Sequence, residues 1–91
     1  MRCIYLLIEV ADSSLLYDRN VKMPMYAAAG IVEFWLVDVE AQSIEVYRQP
    51  DANGYAETQI FKPGQNISLT AFPDVQIPVE SVFPIGKGDK A

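Results

Sequence analysis

A chain of 91 residues, about half of them hydrophobic and a fifth charged, has room for one small domain with a modest core. Twelve acidic residues against seven basic ones give a net charge of −5, which argues against gripping phosphate backbones by bulk charge, although a bound cation can bridge an acidic site to a phosphate. Histidine is absent, which removes the usual general base near neutral pH and the commonest zinc or copper ligand, and excludes Ser-His-Asp and Cys-His arrangements within this chain.

The first element is an apolar run over residues 4–11, rich in Ile, Leu and Val, which predicts a strand covered on both faces, as in a parallel sheet. The run imitates a signal peptide behind Arg2, but Glu9 interrupts it and no small-residue cleavage pattern follows. No apolar stretch approaches a membrane span, so the expectation is a cytoplasmic chain with no membrane partner. Cys3 stands alone, which allows no intrachain disulfide and reads best as a buried strand residue.

Asp12-Ser13-Ser14 breaks the strand with turn residues. Asp12 has a second reading as a metal ligand, but turn formation is preferred for all three residues. A helix is predicted from about Arg19 to Ala29, with Val21, Met25, Ala28 and Ala29 on its apolar face and Gly30 as its C-terminal cap. Pro24 requires that helix to begin near Val21 or to kink. Ile31 to Val39 is a second buried strand, so strand, helix and strand make a βαβ unit with parallel strands and a right-handed crossover.

Residues 43–49 alternate, with Ile44, Val46 and Arg48 on one side and Glu45 and Tyr47 on the other. Asn53-Gly54 marks a turn, and Tyr55 to Phe61 alternates again, which predicts an antiparallel meander extending the sheet. Beyond Lys62-Pro63-Gly64, the prolines at 73, 78 and 84 leave room for edge strands or loops. Residues 1–85 read as one domain and 86–91 as a flexible tail. Asn66-Ile67-Ser68 is a formal glycosylation sequon without meaning unless the chain is secreted.

Glu9 is the residue that asks for an explanation. A desolvated carboxylate between Ile8 and Val10 is costly, and the C-terminal end of the first strand of a βαβ unit is where open α/β sheets build sites. It is read either as a solvent-facing or arginine-paired strand glutamate or as a functional carboxylate. Lys22 also has two readings: an ordinary surface pair with Asp18 four residues earlier, which spacing favours, or a cation turned back toward Glu9. Phe34, Trp35 and Tyr26 read as core, and Asp38 as the start of a turn.

The run IEVADSSLLYDRNVKMPMYAAAGIVEFWLVD, residues 8–38, resembles the Uma-two family of restriction-endonuclease-like proteins, abundant in cyanobacteria and placed in the PD-(D/E)xK nuclease superfamily. The matching elements are Glu-Val before a Ser-rich loop, Tyr-Asp-Arg with a lysine four residues after the aspartate, Tyr-Ala before Ala-Gly-Ile, and Glu-Phe-Trp-Leu-Val-Asp. Tyr-Arg, Gly-Tyr and Phe-Pro-Asp-Val extend the likeness to roughly residues 4–83.

The resemblance implies a mixed α/β, restriction-endonuclease-like fold: one βαβ unit continuing into an antiparallel meander, with the N-terminal part of the family domain missing. It implies hydrolysis of phosphodiester bonds in DNA with magnesium or manganese and no small-molecule cofactor. Glu9 maps onto the family's metal-binding glutamate, and the carbonyl of Val10 onto the main-chain ligand beside it. Position 11 is Ala where the superfamily has its lysine, and that role maps onto Lys22, which reverses the preference from spacing. The superfamily's first Asp would lie upstream of Glu9, where this sequence has no counterpart. The expectation is therefore a chain inactive, or nearly so, by itself, with an open sheet edge that leads to dimerisation. The alternatives are a non-catalytic interaction scaffold and a gene fragment with a nuclease-like fold.

Overall fold

The computed structural model describes residues 4–11 and 15–83. Cys3, the Asp12-Ser13-Ser14 turn and the expected tail at 86–91 lie outside the described residues.

Strand β1 (Leu7–Ala11) is followed by α1 (Leu15–Tyr17), a π-helical turn (Asp18–Lys22) and α2 (Met23–Ala28). Then come β2 (Glu33–Asp38), β3 (Ser43–Pro50) and β4 (Tyr55–Phe61). The order across the sheet is β1-β2-β3-β4. β1 and β2 run parallel, with Leu7 opposite Phe34 and Ala11 opposite Asp38, while β2, β3 and β4 are antiparallel neighbours. This is the expected βαβ unit continuing into a meander, a mixed α/β architecture. No described helix is long and apolar enough to cross a membrane.

The helical segment departs from expectation in extent and in face. It starts at Leu15, before Arg19, and its middle is a π turn that ends with the Met23 N–H donating to the Asp18 carbonyl. Pro24 has no N–H to give, so the regular ladder is interrupted here in any case, and the wider turn falls just before it. Val21, Met25, Ala28 and Ala29, expected to face inward, are exposed. The inward positions belong to Asp18, Lys22, Met23, Tyr26 and Ala27, three of which carry polar ends, so hydrophobic periodicity pointed to the wrong face. Gly30 closes the helix as expected. At φ 82° it lets the Ile31 N–H reach the Tyr26 carbonyl and its own N–H reach Ala27.

Each face of the sheet has its own core. On the helix side Ala11, Phe34, Leu36 and Tyr47 are buried, packed by Leu7, Leu15, Met23, Tyr26 and Tyr55. On the other side Trp35, Val37, Ile44 and Val46 are covered by Ile67 and Val79. Ile67 belongs to β5 (Asn66–Ser68), which pairs with β6 (Gln76–Pro78), and Val79 opens a 3₁₀ turn over Val79–Val82. The proline-rich end thus forms a small hairpin that covers β2 and β3.

That cover does not reach β1. Ile8 and Val10 point to the same face as Trp35 and Val37 and are 46% and 65% exposed, so the strand expected to be covered on both faces is covered only on the helix side. β1 is also outermost in the sheet, and its far edge is unpaired among the described residues.

Candidate functional site

The parallel pairing puts Glu9 opposite Leu36, and the antiparallel pairing puts Leu36 opposite Glu45. Side chains alternate along strands, so Glu9, Leu36 and Glu45 form a row across the helix-covered face. The π turn lies over this row and presents one cation to each carboxylate.

At Glu9 the partners are Lys22, Tyr26 and, one step further, Asp18. Lys22 Nζ lies 3.4 Å from Oε1 of Glu9, and the Tyr26 hydroxyl donates to Oε2 at 2.5 Å. Asp18, itself buried, accepts from the same ammonium at 3.5 Å. Asp18, Lys22 and Tyr26 sit four residues apart, so one helical stripe supplies all three. The hydrogen bond to Glu9 raises the Lys22 pKa, with further support from the carboxylate's charge. That same carboxylate raises the Tyr26 phenol, with burial adding to the effect, so Tyr26 stays a donor well into alkaline conditions.

Spacing and resemblance gave opposing readings of Lys22, and both contacts are present. The pairing with Asp18 is not the surface pair expected, because the helix turns Asp18 toward the sheet. Tyr26 was read as core only. Its ring does pack edge-on against Phe34, at 5.1 Å and 65°, but its hydroxyl belongs to the site. The signal available for it was its place four residues after Lys22. Asp38 plays its expected part, accepting from the Ala41 N–H at 3.1 Å. Asp12 lies outside the described residues.

Two further carboxylates on strands are fully engaged. Glu45 takes both a hydrogen bond from Arg19 Nε at 3.1 Å and a contact from Arg19 Nη2, and the Tyr47 hydroxyl donates to it at 2.5 Å. Burial alone would raise the Glu45 pKa, but the Arg19 and Tyr47 donors outweigh it and hold the carboxyl below its usual range. Glu33, 1% exposed, accepts from Trp35 Nε1 at 2.7 Å, Arg48 Nε at 3.1 Å and the Thr70 N–H at 2.9 Å. Both carboxylates are buried and accept hydrogen bonds on both oxygens.

The chemistry of a magnesium site fits what stands around Glu9: a partly exposed carboxylate and a main-chain oxygen, both hard donors. The Ala11 carbonyl accepts from the Val39 N–H, so with alternating carbonyls that of Val10 is directed to the open edge of β1. The number of donors is small. No group of three Asp, Glu, Cys or His residues that could hold a metal occurs among the described residues. Magnesium bound through so few protein ligands keeps several waters and relies on substrate phosphate oxygens.

Comparison with known proteins agrees with this architecture. A family model, Uma2, described as "Putative restriction endonuclease", matches residues 1–80. Among solved structures, the chain is similar to a putative nuclease belonging to DUF820 from Anabaena variabilis, with a TM-score of 0.64 and 22% identity over 89% of this chain. The match covers 45% of that nuclease, so this chain spans less than half of its length. No curated protein matches the chain. With most of its length, including the Glu9 strand, the Tyr26 helix and the whole sheet, under one family model, the chain belongs to the Uma2 family of restriction-endonuclease-like proteins.

Proposed function

We propose that the Glu9 constellation is the metal-binding part of a divalent-metal-dependent endonuclease site acting on phosphodiester bonds of DNA. The observation that carries this reading is the meeting of Glu9 and Lys22 at the end of a parallel strand, 3.4 Å apart, in a member of a nuclease family. The Glu9 carboxylate and the Val10 carbonyl would hold magnesium or manganese. Such an ion, when bound, lowers the pKa of a coordinated water and stabilises charge on the transferring phosphate. Lys22, kept protonated by Glu9 and Asp18, would orient the attacking water or neutralise charge that develops on the phosphate oxygens. Tyr26 and Lys22 together would fix the carboxylate.

With no group of three metal-ligating side chains there among the described residues, this chain by itself would bind metal weakly and be inactive or nearly so. Calorimetric titration of magnesium and manganese, on the native chain and on Glu9→Gln, tests the assignment. Saturable binding lost in the variant is the expected result, and equal binding in both removes Glu9 as the ligand. Cleavage of supercoiled plasmid in the same buffers tests the catalytic half.

The open β1 edge favours a second reading. Ile8 and Val10 are exposed on a strand with no proline, lysine or bulge to protect it. Pairing of this edge with a second copy would make the chain a self-associating scaffold built on a nuclease fold. Light scattering at micromolar concentration discriminates: a dimer supports the scaffold, and a monomer removes it.

A further inference from the structure

We infer that two copies of this chain pair edge to edge through β1 in an antiparallel register centred on Glu9, so that the dimer assembles one site from two Glu9–Lys22 pairs. This rests on the edge-pairing reading above and goes beyond it by naming the register and the residues that the second copy contributes.

The backbone narrows the choice of register. The Ala11 carbonyl accepts from the Val39 N–H, on the β2 side, and strand residues alternate in direction, so the N–H and C=O groups of Ile8 and Val10 face the open edge. Against an antiparallel copy, Ile8 exchanges hydrogen bonds with the partner's Val10, and Val10 with the partner's Ile8. That register satisfies every edge-facing group of β1 at once and closes on itself by a two-fold axis. A register centred on Ile8 or on Val10 leaves the other of the two residues facing chain beyond β1. Ile8 and the partner's Val10 then lie side by side on the face that the small hairpin does not reach, where both are exposed in the single chain. β4, at the other end of the sheet, carries Glu57, Thr58 and Gln59 in place of an apolar pair.

Glu9 falls on the axis. It opposes the partner's Glu9 in a narrow, non-hydrogen-bonded pair on the helix-covered face, with Cβ atoms about 5 Å apart. Two like charges so placed repel. Lys22 offsets the repulsion, because its ammonium lies 3.4 Å from Glu9 and brings one positive charge per carboxylate to the axis. The single chain has one strand carboxylate at this place; the dimer has two, flanked by two lysines.

Disulfide trapping reads the register. In a Cys3→Ser background, Glu9→Cys is expected to oxidise to a covalent dimer, since residues paired across the axis fall within disulfide reach, whereas Ile8→Cys, out of step with its own copy, is expected to remain uncrosslinked. Sedimentation equilibrium reads the charges. Glu9→Gln is expected to lower the dimer dissociation constant about 5-fold by removing the like-charge contact, and Lys22→Met to raise it, while Glu57→Gln, the same charge change on β4, leaves it unchanged. Crosslinking through Ile8→Cys and not through Glu9→Cys, or equal constants for Glu9→Gln and Glu57→Gln, overturns the register and leaves edge pairing standing. A native chain that stays monomeric overturns both. Should Glu9→Cys fail to fold, the constants of Glu9→Gln and Lys22→Met decide alone: movement in opposite directions supports the register, and any other result overturns it.

Discussion

Glu9 and Glu45 occupy one row of one sheet face, each with a cation from the π turn and a tyrosine hydroxyl, and yet they differ in kind. Glu45 lies on the third strand, its side chain 7% exposed, with a guanidinium across both oxygens. Glu9 lies on the outer strand, 23% exposed, with a loosely placed ammonium on one oxygen. A planar fork matched to both carboxylate oxygens locks a pair in place, whereas an ammonium on a flexible stem can be exchanged. The inner group is held tightly within the fold, whereas the outer one is partly exposed and held more loosely. What separates them is position in the sheet and the choice of arginine or lysine.

The sharpest way to break this comparison is to neutralise each carboxylate in turn. Glu45→Gln removes a buried carboxylate that accepts from Arg19 and Tyr47; Arg19, 35% exposed, can turn to water, so the expected loss is about 2 kcal/mol, that of hydrogen bonds to a charged group. The urea midpoint of the variant reads it. A loss below about 1 kcal/mol, the usual value for a surface pair, would put the two triads in the same class.

Acid separates them next. Donors from Arg19 and Tyr47 hold the Glu45 carboxyl below its unfolded value near 4.5, so the folded state binds that proton less readily than the unfolded chain. Its stabilising contribution is present above about 4.5 and is lost as pH falls through the depressed folded value. Urea midpoints taken from about pH 6 down to about pH 3 are expected to fall in the native chain and to fall less in Glu45→Gln. At the alkaline end the sign reverses. Burial, with help from Glu45, holds the Tyr47 phenol far above its ordinary 10, and burial pushes Tyr55 up to about 12. Both contribute stability that is present below 10 and lost as pH rises through the folded values. Phenolate absorbance from Tyr47 and Tyr55 is expected only well above the ordinary 10, and full ionisation of both near 10 would contradict the burial argued for them.

How much of this was legible in the sequence follows from where the information lies. The βαβ unit and meander were readable because apolar runs and period-two alternation are local signals, and the Schellman cap at Gly30 is one too. The helix face was not, because Asp18, Lys22 and Tyr26 turn inward to serve Glu9, and a polar stripe facing a carboxylate looks like a solvent stripe in one dimension. Glu45 was assigned to the correct side of β3, but its partner Arg19 is 26 residues away and no spacing rule connects them. Glu9 and Lys22 could be paired through the family resemblance, whereas Tyr26 needed the three-dimensional arrangement of the helix over the sheet. Exposure of Ile8 and Val10 was hidden for a related reason: an apolar strand reads the same whether or not a second layer covers it.

Self-association is the next smaller effect and tests the same outer strand. Val10→Lys places a charge on the exposed face of β1, opposite the side of Glu9, and lysine is a residue with which natural edges prevent pairing. If β1 mediates a dimer, the variant is expected to sediment as a monomer at concentrations where the native chain does not. Equal masses for the two would move the contact elsewhere or remove it.

The smallest effect is expected at Glu9 itself, and for that reason it is informative. Glu9→Gln keeps the shape and an acceptor for Tyr26, and the lysine it releases can turn to solvent or remain with Asp18. The urea midpoint should move little, within about 0.5 kcal/mol of the native chain, as is common for partly exposed positions with no buried charge left unpaired. Stability that is indifferent to a carboxylate in an apolar strand means that the carboxylate is not there for the fold. A loss comparable with that of Glu45→Gln would make Glu9 a second structural ion pair, and the case for a ligand at the strand end would fall with it.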